Sequence, residues 1–296
     1  MRLSADDSAL IGKKTVCRSK SGKCEMQMRK LAVLLLLILL GAISMLGQRR
    51  PLQGPPVPTF FAPDPDATDE FTFVRTIYSS PFRGRFGGRG WGGGWGSWAT
   101  DFPEADYHFI AGARRWSGTN LQIAVEPLQI RIPDPNLFRY PLIYVVEPGY
   151  LWLSTEEAHR LREYLLRGGL LFLDDFWGEF EWINVQEQML SIFPEYSIVD
   201  LPLDHPVFHS YFDIKEVVQV PGIGSWLGRG ETHEKGGITP HYMGILDDQN
   251  RLLVFISRNS DLGDAWEWIN DERYPKEYGL AAYRLAINVI IYAMSH

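Results

Sequence analysis

The segment from Ser154 to Asp175 constrains the fold of this chain more than any other part of the sequence. It reads STEEAHRLREYLLRGGLLFLDD. Ser154 and Glu157 match the capping box that begins a helix, and Gly168 supplies the left-handed residue that ends one. A wholly apolar strand, 170–173, follows and ends in two aspartates. This helix-to-strand step predicts an α/β fold, and open α/β sheets bind ligands at the carboxyl ends of their strands.

Helical and strand patterns also alternate through the rest of residues 71–296. The sequence predicts strands over 71–78, 142–146 and 251–257, and helices over about 101–113, 185–193 and 280–294. Asp101 and Glu104 form a second candidate capping pair. No long repeat is present, so we expect a single α/β domain over 71–296. The expected architecture is a three-layer, doubly wound, mostly parallel sheet.

An N-terminal hydrophobic segment precedes this domain. Leu31 to Gly47 carries no charged residue, and residues 1–30 form a basic leader with eight Lys/Arg and three Asp/Glu. Such an arrangement predicts a cytoplasmic leader, a single-pass membrane anchor at 31–47 and a C-terminal domain outside the cytoplasm. Because the apolar run is short, cleavage as a signal peptide and secretion is the alternative. Residues 48–70, rich in proline, then form an extended linker.

Charge and cysteine usage exclude several functions. The leader carries +5, which leaves −12 on the rest of a chain whose net charge is −7. An acidic body argues against nucleic acid as a partner, because phosphate-binding surfaces are basic. Cys17 and Cys24 both precede the apolar run, so the exported body has no thiol nucleophile or Cys ligand. No Walker loop, GxSxG elbow or paired CxxC is present, and we expect no cofactor or bound metal.

A glycine-rich loop at 83–98 contains Trp91, Trp95 and Trp98. Its match to the dinucleotide fingerprint carries little weight, because glycine is dense there and no helix begins in the loop. The loop is interpreted as a flexible surface segment, or alternatively as an aromatic cover over a ligand site. Trp98 is therefore a candidate ligand-binding residue.

Asp174 and Asp175 are the leading site candidates, because they end a buried strand. Carboxylates at this position can hold a cation or sugar hydroxyls, or act as acid and base. In the alternative interpretation, one of them caps the next segment and the other is solvated. His205 is a further catalytic candidate, to be paired with either aspartate. His205 and His209 are four residues apart, but Pro206 places His205 just outside a helix, which disfavours a shared metal.

The segment after the strand at 251–257 reads NSDLGDAWEW and begins at Asn259. In a parallel sheet Asn259, Asp261 and Asp264 would reach the same edge as Asp174, so all three are candidate ligand-binding residues. Trp266 and Trp268 are expected to pack in the core, with stacking on a sugar as the alternative. The combination of carboxylates, an amide and tryptophan suits a neutral polyol or a cation-bridged ligand better than a phosphate.

These motifs resemble a bacterial family known as domain of unknown function 4159. The similar stretches are 98–106 (WATDFPEAD), 140–144 (YPLIY), 161–175, 204–208 (DHPVF) and 259–264 (NSDLGD), spread over about residues 71–296. The family is similar to the class I glutamine-amidotransferase-like superfold, including trehalose-utilisation-type proteins. That superfold places a catalytic cysteine after the strand that here ends in Asp174 and Asp175. The resemblance therefore implies the fold without thiol-dependent glutamine hydrolysis.

We expect the protein to be a non-catalytic binding or assembly domain of the cell envelope, with the membrane and envelope proteins as partners. A neutral polyol or saccharide is the expected ligand. The alternative is a hydrolase that acts on a saccharide through Asp174 or Asp175 and His205.

Overall fold

A computed structural model describes residues 71–80, 96–118 and 121–296 of the chain, which form seven strands and six α-helices. The strands are β1 (Val74–Ile77), β2 (Leu128–Arg131), β3 (Leu142–Val146), β4 (Leu170–Asp174), β5 (Ile198–Asp200), β6 (His241–Leu246) and β7 (Leu252–Arg258). The helices are α1 (Glu104–Ser117), α2 (Thr155–Leu166), α3 (Gly178–Ile192), α4 (Ile223–Arg229), α5 (Leu262–Glu267) and α6 (Lys276–Ser295).

The strands form one mostly parallel sheet in the order β2-β1-β3-β4-β7-β6-β5. β2, β1, β3, β4 and β7 run parallel, whereas β6 is antiparallel to both of its neighbours. The prediction of an α/β, mostly parallel sheet is therefore confirmed. Reasoning from the sequence missed β2, β5 and β6, because two of them are only three or four residues long and β6 lacks a continuous apolar run.

Helices cover both faces of the sheet. On β3, Ile143 and Val145 pack into the hydrophobic cluster under α2 and α3. Tyr144 on the same strand points the other way, into a second cluster under α1 and α6. This alternation follows from the two-residue period of a strand, and it explains why a strand covered on both faces is apolar throughout. The result is the expected three-layer arrangement.

The step from α2 to β4 forms as the sequence predicts. The Ser154 hydroxyl accepts a hydrogen bond from the backbone N–H of Glu157, and the Glu157 carboxylate accepts one from the N–H of Ser154. Gly168 has a φ of +111°, a conformation that favours glycine. Gly169 has a different role, since a Cβ there would lie 2.3 Å from the Tyr164 ring. The two glycines let the chain turn and then pass close beneath that ring.

Two details of the predicted helices are corrected. The helix expected over 185–193 begins earlier, at Gly178, so the chain enters α3 only four residues after β4 ends. Asp101 does not cap α1 with its side chain. Pro103 occupies the N-cap position, and no side chain bonds there. The backbone carbonyl of Asp101 instead accepts a hydrogen bond from Ala105, which leaves the carboxylate free to point elsewhere.

The basic leader, the apolar run at Leu31–Gly47, the linker at 48–70 and most of the glycine-rich loop lie outside the described residues. Among the helices of the described ranges, none has the length and apolar character needed to cross a membrane.

Candidate functional site

Loops that follow the central strands have unusual backbone conformations at the carboxyl edge of the sheet. Glu147 directly follows β3, Asp175 follows β4, and Asn259 follows β7, with φ values of 47°, 57° and 58°. Asp101 also has a positive φ, 60°. Asp and Asn tolerate this left-handed region better than other non-glycine residues, and such conformations concentrate at functional sites. The edge predicted from the sequence is thus built from turns with left-handed residues, and these residues carry carboxylate or amide oxygens.

Asp174 ends β4 with its side chain completely buried. Its Oδ2 accepts hydrogen bonds from the Tyr144 hydroxyl at 2.8 Å and from the backbone N–H groups of Leu262 and Gly263 at 3.0 and 3.2 Å. Burial raises the pKa of Asp174 from 3.8 to about 7, although these donors oppose the rise. Asp174 therefore ties β4 to the N-terminus of α5. The contact places Asp174 and the Asn259–Asp264 segment at one edge, as predicted.

Asp175 follows at the turn into α3 and is 8% exposed. Its Oδ1 accepts a hydrogen bond from the indole N–H of Trp177 at 2.9 Å. Burial raises the pKa of Asp175 well above its usual value, and the neighbouring charge of Glu147 adds to the effect. On the same side, Lys235 donates to Glu181 at 2.7 Å. Asp175 is therefore an oriented, deeply set carboxylate beside an already paired lysine.

Asp261 and Asp264 belong to the N-terminus of α5. The Oδ1 of Asp261 accepts a hydrogen bond from the backbone N–H of Asp264 at 2.8 Å, so Asp261 is the N-cap. The Oδ2 of Asp264 accepts from the N–H of Ile223 at 2.6 Å. Burial raises the pKa of both carboxyl groups. A Cβ at Gly222 would lie 2.6 Å from the Glu234 carboxylate and 3.0 Å from that of Asp261, so only glycine leaves room for them.

Asp101 is a site residue that reasoning from the sequence assigned to helix capping. A Cβ on Gly263 would lie 2.5 Å from its Oδ2, which shows how closely the carboxylate approaches α5. One carboxylate oxygen from each of Asp101, Asp175 and Asp261 lies within 4.8 Å of the other two. Asp101, Asp264 and Glu267 form a second group by the same measure. The available sequence signal was the TDFPEAD stretch, whose first aspartate lies two residues before Pro103, the residue that occupies the N-cap.

Arg75 positions this part of the site from the middle of β1. Its guanidinium donates to both carboxylate oxygens of the buried Asp106, and its Nη1 donates to the backbone carbonyls of Trp98 and Thr100 at 3.2 and 2.9 Å. The segment held in this way leads directly to Asp101. An arginine inside the aromatic strand FTFVRTIY was the sequence signal for this buried ion pair.

Asn259 is close to the acidic edge but is occupied in linking loops. Its side chain accepts a hydrogen bond from the N–H of Gly178 at 2.9 Å and donates to the Thr239 carbonyl at 2.6 Å. Gly178 has a φ of +68° and lies against the backbone of Lys235. Asn259 therefore holds the start of α3 against the loop before β6, and its amide oxygen and nitrogen both take part in these contacts.

The tryptophans that we considered as stacking platforms are mostly in the core. Trp98 is 9% exposed and packs near Phe102. Trp266 is completely buried, with its ring 4.6 Å from that of Phe109, as expected for core packing. Trp268 is partly exposed and packs against the same core cluster. Trp91 and Trp95 lie outside the described residues.

The structure does not bring His205 together with Asp174 and Asp175. The His205 ring lies 5.7 Å from that of Tyr292, whose hydroxyl accepts a hydrogen bond from Leu252 at the start of β7. Asp174 lies at the end of the parallel strand β4, so His205 is at the opposite edge of the sheet. The proposed pairing of His205 with these aspartates is corrected for that reason. Nδ1 of His205 accepts from the N–H of Val207 and caps a short 3₁₀ helix that starts at Pro206.

His209 faces different partners from His205. Its ring nitrogens contact the Asp213 carboxylate and the Leu203 carbonyl, each at 2.8 Å. The two histidines therefore contact different groups.

Comparison with known proteins identifies a sequence family for this chain. A family model for a domain of unknown function, DUF4159, matches residues 92–294. The match covers more than half of the chain, and the protein belongs to this family. No curated protein matches the sequence.

Proposed function

We propose that this protein is a non-catalytic binding domain of the cell envelope whose ligand site is the acidic edge formed by Asp101, Asp174, Asp175 and Asp261. The observation that carries the proposal is the convergence of carboxylate oxygens from three separate loops within 4.8 Å. Those loops follow β4 and β7 and precede α1. Ligands bind at this edge in open α/β sheets.

A neutral polyol or saccharide is the proposed ligand. Carboxylates accept hydrogen bonds from sugar hydroxyls, whereas a phosphate would meet the combined negative charge of the edge. Asp101 and Asp264 are the partly exposed carboxylates of this edge, whereas Asp175 and Asp261 are more deeply set. The binding interaction would serve attachment or assembly at the envelope, with other envelope proteins as further partners.

The envelope location rests on the sequence. The uncharged run Leu31–Gly47 follows a basic leader, an arrangement that anchors a chain with its C-terminal part exported. Secretion after cleavage of this segment is the alternative.

The domain is proposed to share the class I glutamine-amidotransferase-like superfold. A parallel sheet with helices on both faces supports this relationship. So does the tight turn at Asp175, whose φ is 57° between β4 and α3. That superfold carries its catalytic cysteine at such a turn, and here the position holds an aspartate. Thiol chemistry is therefore absent from the proposed function.

The direct test is binding of a panel of neutral glycans and polyols to the purified full-length protein, measured by isothermal titration calorimetry. The Asp175→Asn variant keeps an acceptor for Trp177 and a residue type that tolerates the left-handed turn, so it should fold and lose affinity. Asp213→Asn, at an exposed position whose carboxylate pairs with His209 and Lys215 and contacts none of the edge residues, is the matched control. If no member of the panel produces a heat of binding, the proposed ligand class is contradicted.

A saccharide hydrolase is the second candidate. It is favoured by the pKa of Asp174, which burial raises to about 7 and so into the range of a general acid at neutral pH. In this candidate Asp174 or Asp175 acts without His205. Turnover of the same glycan panel, abolished by Asp174→Asn, would establish the enzyme and refute the non-catalytic proposal.

A further inference from the structure

The carboxylates of Asp101, Asp175 and Asp261 have the arrangement of an oxygen-ligand shell. Each residue offers an oxygen within 4.8 Å of the other two. Calcium binds carboxylate oxygens at about 2.4 Å, so two ligands of one ion lie at most about 4.8 Å apart. The three residues come from the turn before α1, the end of β4 and the N-cap of α5. They are therefore held by three independent elements of the fold.

Two buried oxygens at this edge have no hydrogen-bond partner within the described part of the chain. They are Oδ2 of Asp101 and Oδ1 of Asp174. Asp174 is completely buried, and its other oxygen already accepts three hydrogen bonds. A buried carboxylate oxygen without a donor is rare in folded proteins, because burial removes the water that would satisfy it. Asp101 is also a member of the three-residue shell, so an ion bound there would supply the missing interaction at its carboxylate.

The basic side chains near this edge already form ion pairs with other carboxylates. Arg75 is in a fully buried ion pair with Asp106, and Lys235 pairs with Glu181 at 2.7 Å. Asp175 and Asp261 are each more than nine-tenths buried, and each donor that contacts them is neutral: an indole N–H for Asp175 and a backbone N–H for Asp261. The excess negative charge at the edge thus matches a cation from solution.

We propose that Asp101, Asp175 and Asp261 bind a hard divalent cation, with calcium as the preferred ion. Oxygen-only ligands favour calcium, magnesium or manganese over zinc or copper. Calcium fits best because it accepts irregular shells built from loops and tolerates longer ligand distances than magnesium. The inference deepens the proposed function and rests on the same edge, since a bound ion would bridge the protein to the hydroxyl groups of a polyol.

The second acidic group, Asp101 with Asp264 and Glu267, is the less suitable one. Asp264 and Glu267 are both partly exposed, so water can satisfy their carboxylates, whereas Asp175 and Asp261 are buried. The proposal therefore predicts a different response for Asp175 and Asp264, and variants can tell the two groups apart.

The test is calcium binding to the full-length protein after treatment with a chelator, by calorimetry and by terbium luminescence. The indole N–H of Trp177 donates to Asp175 at 2.9 Å, so a terbium ion at Asp175 would be sensitised by excitation of tryptophan. We expect one ion per chain, a luminescence signal displaced by calcium, and a melting temperature that rises with calcium concentration.

Asparagine substitutions remove one charge while they preserve shape. Asn tolerates the positive φ of Asp101 and Asp175, and it serves as an N-cap in place of Asp261. Each of Asp101→Asn, Asp175→Asn and Asp261→Asn should weaken calcium binding at least tenfold. Asp213→Asn should leave it unchanged, and Asp264→Asn should have a smaller effect than Asp175→Asn. Melting curves in chelator show separately whether each variant folds.

Several results would overturn the inference. The first is a folded protein that binds neither calcium, magnesium nor manganese at millimolar concentration. The second is unchanged affinity in all three asparagine variants. Loss in Asp264→Asn with retention in Asp175→Asn would place the ion in the other group and would also refute it. The glycan titration is repeated with calcium and with chelator. Calcium binding without any glycan binding would refute only the proposal of a polyol or saccharide ligand. Glycan binding without any calcium binding would refute only the proposal of the ion site.

Discussion

The buried ion pair between Arg75 and Asp106 gives the sharpest prediction about how this site is held. Both side chains are completely inaccessible to solvent. Arg75 donates to the two oxygens of Asp106 and to two backbone carbonyls at the start of the segment that leads to Asp101. We therefore expect the pair to behave as a unit. Removing one partner should cost far more than its share of the interaction, because the other charge is left buried and uncompensated.

The magnitude follows from the contacts. Asp106→Leu leaves the guanidinium without its counter-charge and should reduce the free energy of unfolding by about 3–5 kcal/mol. Arg75→Met leaves a buried carboxylate and two carbonyls without donors, and should cost a similar amount. The double variant removes both charges and leaves only the carbonyls of Trp98 and Thr100, at about 1–3 kcal/mol each. The sum of the two single losses should thus exceed the loss in the double variant by about 4 kcal/mol.

Urea unfolding of the four proteins, followed by tryptophan fluorescence, measures this coupling energy as a double-mutant cycle. Calcium affinity of the double variant gives a second readout, since the tether on Trp98 and Thr100 is lost and Asp101 should be less well positioned. A coupling energy below about 1 kcal/mol would refute the reasoning, because the two charges would then be compensated by other groups.

Three further predictions follow from other parts of the structure. Gly169→Ala should destabilise the protein by about 1–3 kcal/mol, because the new Cβ would overlap the Tyr164 ring, whereas Gly228→Ala in α4 meets no atom within 4 Å and should be neutral or stabilising. Urea unfolding compares the two, and equal stabilities would contradict the contact. In chelator, Asp174 alone should make stability fall by about 4 kcal/mol as the pH rises from about 4 to 7, since the folded state keeps its proton to about pH 7 and the unfolded chain loses it near 3.8. The other buried carboxyl groups of the edge, whose pKa values are also raised, add to the fall. The pH profile of Asp174→Asn should therefore be shallower by about the Asp174 contribution, and an unchanged profile would show that Asp174 does not titrate in this range. Cell fractionation should recover the full chain in the membrane through Leu31–Gly47, whereas a soluble mature protein that begins near Met45 or later would establish a cleaved signal peptide instead.

The sequence determined the local elements whose physical cause is local. The capping box at Ser154 and Glu157, the positive φ at Gly168 and the apolar strands predicted at 142–146 and 170–173 all formed, the second with Asp174 as its last residue. Each depends on neighbours within a few residues or on burial of both strand faces, so it can be predicted from the amino-acid sequence alone. The shared edge for Asp174 and Asp261 also followed, because parallel strands place their carboxyl ends together.

Only the tertiary structure decided which polar groups meet. Asp101 has the pattern of a helix cap, but its carboxylate lies against Gly263, more than 160 residues away along the chain, as the numbering shows. Asn259 has the pattern of a ligand residue, yet its amide is used to join Gly178 and Thr239. His205 lies at the far edge because the connection after β5 leads away from the aspartates towards Tyr292. The local sequence determines on which helix, strand or turn a polar residue lies, whereas the packing of distant elements determines which donors and charges surround its side chain.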